Sequence, residues 1–123
     1  MKGRNGSYAG TEAGGKWYSS YTDENFGASF TGLFYADESI IYFKKENSER
    51  VLKIPLRSVR RIEKGKLHAG KWLFNSTIVK IVWEKNGMEL SSGFVFSRRE
   101  FETQLAMQEI KNAVEDAKKG FIA

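Results

Sequence analysis

The sequence predicts a mainly β domain of about six or seven antiparallel strands closed by one C-terminal α-helix. Three observations carry this prediction. Between Phe26 and Phe96 short runs rich in β-branched and aromatic residues alternate with polar turns, the signature of a meander. Asn86 and Gly87 sit between two such runs, and both tolerate the positive φ that a two-residue hairpin demands. After Ser97 the apolar spacing lengthens from two to three and four residues, which is helical.

Taken in order, residues 1–24 carry Gly3, Gly6, Gly10, Gly14 and Gly15 with serines and balanced charges. This stretch reads as an irregular glycine-rich arm, in which Trp17, Tyr18 and Tyr21 are large enough to dock on the parent domain. The domain proper is expected over 25–119. Residues 26–35 form its first strand and 40–44 the next, separated by Asp37, Glu38 and Ser39. Arg50 to Ile54 follows, with Val51 and Leu52, and then Pro55, whose missing amide donor suits the start or edge of a strand. Residues 59–63 make a fourth run, and 65–70, with a glycine at each end, reads as a loop. Ile78, Val79, Ile81 and Val82 mark a strongly β-branched strand, paired through the Asn86–Gly87 turn with 88–96.

Ser97 and Glu100 have the spacing of a capping box, so a helix is expected over about 98–119. Phe101, Leu105, Ala106, Ile110, Ala113, Val114 and Ala117 make its apolar stripe, with Glu102, Glu109, Lys111, Glu115 and Lys118 opposite. Lys118 and Lys119 complement the helix dipole and Gly120 is placed to end it.

At 123 residues the chain suits one domain. With 41% hydrophobic and 28% charged residues it has an ordinary globular composition. It has no cysteine and one histidine, His68, so thiolate chemistry, the usual zinc sites and the Ser or Cys triads lack their parts. The acids are scattered over turns and the solvated helix face, and no phosphate-cradling glycine motif is present. The expectation is a non-catalytic protein without metal or cofactor. The opening MKGRNGSYAG has no apolar core of a signal segment, and no apolar run nears the length of a membrane span. A cytoplasmic protein is expected, with peripheral membrane association allowed.

The run Gly32, Leu33, Phe34, Tyr35 leading to Ile40, Ile41, Tyr42, Phe43, then Ile54, Pro55, Leu56, Val59, Ile62 and Glu63, and finally the last hairpin up to Phe94, Val95 and Phe96, resembles the GRAM and bacterial pleckstrin-homology-like families. The resemblance covers roughly residues 30–118. It implies a PH-like barrel of about seven antiparallel strands capped by an amphipathic helix, serving as a binding module. The turn at Ala36 and Asp37 departs from the threonine and asparagine of the family pattern, and the glycine-rich arm has no counterpart in it.

Charge points to a class of partner. The net charge is +5, and residues 44–71 hold ten lysines and arginines against Glu46, Glu49 and Glu63, a local balance of +7. Lys44, Lys45, Lys53, Arg57, Arg60, Lys64, Lys66 and Lys71 are the candidate anion or lipid-binding residues, each exposed cation near an anionic surface adding about 1 kcal/mol. Arg61 belongs to the same run, but strand alternation forbids Arg60 and Arg61 from facing one ligand. Leu67 and Trp72, interleaved with lysines, are candidate interfacial residues, although Trp72 and Phe74 equally suit a core strand. The partner expected is an anionic membrane lipid or a protein. Self-assembly into a homo-oligomer is the alternative, and single-stranded nucleic acid, which needs aromatic platforms such as Tyr35, Tyr42 or Trp72, ranks third.

Overall fold

Inward-pointing apolar side chains at every second residue drive the sheet. Phe34 and Ala36, Ile41 and Phe43, and Leu52 and Ile54 are buried, while Leu33, Tyr35, Tyr42, Lys44 and Lys53 between them face outward. The computed structural model describes residues 3–14, 16–20, 30–68, 71–72 and 76–120. Within them lie β1 (Arg4–Ala13), β2 (Lys16–Ser20), β3 (Phe30–Ala36), β4 (Ile40–Lys45), β5 (Val51–Pro55), a single-turn helix (Leu56–Ser58), β6 (Val59–Gly65), β7 (Leu67–His68), β8 (Lys71–Trp72), β9 (Ile78–Lys85), β10 (Met88–Val95) and α1 (Glu100–Gly120).

Seven strands form one antiparallel path, β5-β4-β3-β1-β10-β9-β6, with β2 added beside β1. The strands at its two ends are consecutive in the chain, joined by the single-turn helix. Leu56 of that turn is buried, and α1 packs over it. The fold is therefore the helix-capped, PH-like barrel that the resemblance implied.

The glycine-rich arm is the first correction. Its described residues 4–13 are not irregular: β1 lies between β3 and β10, and Tyr8 is wholly buried against Phe43 and Phe94. Two halves of β1 serve two partners, Arg4 to Tyr8 on β3 and Ser7 to Ala13 on β10, with a register shift between Tyr8 and Gly10. Small residues let this strand sit where the sheet turns sharply. The expected docking aromatics Trp17 and Tyr18 are on β2, but their side chains, and Tyr21, lie outside the described residues.

Gly32 shows how tight the coil is. A Cβ there would meet the Lys44 carbonyl carbon at 2.9 Å, its oxygen closer still, and the Phe43 ring at 2.9 Å. At the last hairpin Asn86 (φ 52°) and Gly87 (φ 80°) make the expected left-handed turn. The predicted loop at 65–70 is partly structured, because β6 runs to Gly65 and Leu67 pairs with Trp72 in a two-stranded hairpin.

Inside the barrel the Tyr8 hydroxyl, the Thr11 hydroxyl, Ser92 Oγ and Trp83 Nε1 form one buried hydrogen-bond chain. Thr11 to Ser92 is 2.7 Å, and Trp83 donates to Ser92 at 3.0 Å. The three hydroxyls and the indole nitrogen of this chain thereby partner one another inside the core.

The helix stripe needs a second correction. Thr103, Ala106, Met107, Ile110 and Val114 are buried, whereas Phe101 and Leu105 are exposed. At about 100° per residue, Phe101 and Ile110 differ by half a turn and cannot share a face. Two residues placed on the polar side do structural work instead. Glu109 pairs with Arg4 of β1 at 3.0 Å, and Lys118 donates to the Val59 carbonyl at 2.7 Å.

Candidate functional site

Cross-strand register sorts the basic residues before any ligand is considered. Asn5, Leu33, Lys44 and Val51 lie opposite one another in a row across β1, β3, β4 and β5. Tyr35, Tyr42 and Lys53 make the neighbouring row on the same outer face. The Tyr35 and Tyr42 rings stack at 5.0 Å and 15°, so each covers one face of the other. Leu33 is 41% exposed beside them. The side chains of Lys44 and Lys53 form no ion pair with another described residue, and both project from this partly apolar face.

The turn that sets this face is held locally. Asp37 Oδ1 accepts the Ser39 and Ile40 amides at 2.8 Å each, and Oδ2 accepts the Tyr42 hydroxyl at 3.1 Å. The two amides, then Tyr42, lower the Asp37 carboxyl below its usual range, and the same bond raises the Tyr42 phenol. Asp37 thus closes this turn and also ties down one tyrosine of the stack.

A groove of about 880 Å³ opens next to this face. Lys44 and Lys45 line it from β4 and Glu46 from the turn after it, Asn5 and Ser7 from β1, and Ser97 and Arg98 from the segment before α1, together with Gly6, Gly32 and Phe96. Glu46 is held by the Thr31 hydroxyl at 2.7 Å. Arg98 forms no ion pair with another described residue. In the sequence it stands only within the expected helix start, where two successive arginines, Arg98 and Arg99, close to Phe96 and Phe101 are the signal that marks it.

The remaining candidates do not converge here. Arg60 is bound by Glu84, and Arg61 by Glu63 and by Glu89 at 3.1 Å. Those two carboxylates, Glu63 first, raise the Arg61 pKa further. Contrary to simple alternation, Arg60 and Arg61 are both exposed, because the β6 register shifts between Val59 and Arg61. Lys64 is paired with Glu100 at 3.0 Å, and Lys66 donates to the Ser76 carbonyl at 2.9 Å. Arg57 lies elsewhere, in a groove it shares with Asp37, Glu38 and Asp116. The side chains of Lys71, Leu67 and Trp72 lie outside the described residues.

The expected capping box is also rebuilt. Ser97 Oγ accepts the Arg99 amide at 3.0 Å. Glu100 turns away from the backbone to accept the Gln104 amide at 2.9 Å, Lys64 at 3.0 Å and the Thr77 hydroxyl at 3.0 Å. Those three donors, Gln104 first, lower its carboxyl from the ordinary 4.5 to about 2. Glu100 therefore pins the start of α1, and with it Arg98, to the end of β6.

Among the described residues no cluster of three or more metal-ligating side chains forms, and no helix is long and apolar enough to cross a membrane. Comparison with curated proteins found no match. A family model described as bacterial PH domain-like matches residues 1–110, a span that takes in β1 and with it the stretch read from sequence as an arm. That match gives no support to the GRAM part of the resemblance. With the seven-strand sheet, the helical cap and this match in agreement, the chain belongs to the bacterial PH domain-like family.

Proposed function

We propose that the chain is a binding module that docks on anionic lipid headgroups through the groove flanked by Lys44 and Arg98, with Lys53 on the adjoining face. Membership of the family suggests a non-catalytic binding module; the ligand is our reading. The observation that carries it is the contrast in pairing. Arg60, Arg61 and Lys64 are matched by carboxylates, whereas Lys44, Lys53 and Arg98 have none among the described residues. Unmatched cations around a concave surface attract anions at the least cost in broken ion pairs. Lys71, Leu67 and Trp72 enter the proposal from sequence alone, as apolar residues interleaved with lysines in one segment.

Co-sedimentation with vesicles tests it. Binding to phosphatidylcholine vesicles containing phosphatidylserine or a phosphoinositide is expected, with little binding to phosphatidylcholine alone. The double variant Lys44→Gln, Arg98→Gln lowers it about tenfold or more, two cations contributing about 1 kcal/mol each. Binding indifferent to lipid charge, or unchanged in that variant, overturns the proposal.

A protein partner is the second reading, and the outer face favours it. Leu33, Val51 and the stacked Tyr35 and Tyr42 offer apolar and aromatic contact area of the kind found at interface centres. If that reading holds, Leu33→Asp abolishes capture of the partner while vesicle binding is absent.

A further inference from the structure

Phe101 is 72% exposed, the most exposed of the large apolar side chains among the described residues, and Leu105, one turn later, is 46% exposed. This exposure belongs to a well-anchored stretch of helix. Thr103, Ala106 and Met107 of the same turns are buried, and Glu100 is held by Lys64 and Thr77. The patch is also short, since Gln104, Gln108 and Asn112 continue the outer face as polar residues. It is bordered by Arg98 and Arg99 and by Glu100 and Glu102. Arg98 lines the groove described above, and the Arg99 side chain is 82% exposed, with Glu102 at 3.6 Å.

We infer that the first two turns of α1 are an interfacial wedge, in which Phe101 and Leu105 enter the boundary between headgroups and acyl chains of an anionic bilayer while Arg98 meets lipid phosphates. Glu100 and Glu102 of this turn are engaged by Lys64 and Arg99, which leaves the Arg98 charge over beside two apolar side chains, an arrangement that suits that boundary layer. A second copy of the chain suits the patch poorly. Two side chains fall far short of the roughly 800 Å² per partner of a stable interface. The inference rests on the anionic-lipid reading, to which it adds insertion at a place separate from Lys44.

The chain has no cysteine, so Phe101→Cys, Leu105→Cys and Asn112→Cys each accept one polarity-sensitive fluorophore. On phosphatidylserine-containing vesicles the labels at 101 and 105 shift to the blue and are quenched by a quencher carried near the lipid carbonyls. The label at 112 does neither. Phe101→Ser, with its fold checked by circular dichroism, lowers vesicle partitioning roughly tenfold. Vesicle binding with no shift at 101 overturns the wedge and leaves headgroup docking standing. Absence of vesicle binding removes both. A shift that needs no vesicles and grows with protein concentration assigns the patch to a second copy and overturns the inference.

Discussion

The carbonyl of Lys44 passes so close over Gly32 that no side chain fits between them. The two residues lie on adjacent strands at the edge of the groove, where Gly32 also pairs with Gly6 of β1 and Lys45 of β4. Gly32→Ala must spread β3 from β4, at a cost of about 1–3 kcal/mol. Urea denaturation checks this, and a midpoint equal to wild type would refute the tight coil.

Glu100 gives the protein a pH-dependent anchor. Its folded-state pKa is lowered, so its contribution is fully present above the ordinary 4.5 and is lost as pH falls towards about 2. Wild type should be more stable than Glu100→Gln at neutral pH, and the two should converge between those values. Thermal midpoints measured across that range decide it. A difference independent of pH would mean that the carboxylate charge is irrelevant.

The buried hydroxyl chain is expected to be sensitive at its centre. Ser92→Ala leaves Trp83 Nε1 without its acceptor and Thr11 without one partner, costing about 1–3 kcal/mol. Denaturation followed by tryptophan fluorescence measures the loss. A neutral result would show that another acceptor takes over.

Opposite faces of α1 should respond in opposite ways. Ile110→Ala empties a fully buried site and should cost about 2–5 kcal/mol. Phe101→Ser touches an outward ring and should leave stability within about 0.5 kcal/mol. Equal losses at the two positions would contradict the helix orientation.

Much of the strand pattern was legible because burial alternates on one face. Phe34, Phe43, Leu52 and Ile54 announce their strands by spacing alone. The Asn86–Gly87 turn is equally local, since its φ preferences need no tertiary partner. β1 was not legible. Gly6, Ser7, Ala9 and Gly10 look like linker, because small residues are needed where the sheet turns sharply and propensity ranks them low for strands. The helix stripe misled for a related reason. Phe101 and Leu105 are apolar and well spaced, yet Thr103 and Met107 take the inner face once the helix is docked.

Taken alone, the sequence determined the class of fold, the last hairpin, the existence of the C-terminal helix and the excess of positive charge, all of which are properties of composition and local periodicity. Only the tertiary structure decided which cations are free to meet a ligand. Glu84, Glu89 and Glu100 lie 24, 28 and 36 residues from the Arg60, Arg61 and Lys64 that they hold, so the run of charge from Lys44 to Lys71 loses much of its apparent strength. The same folding brings Arg98 to the groove of Lys44 from the other end of the domain. Charge counts along a chain ignore such pairings, because electrostatic attraction depends on separation in space and not in sequence.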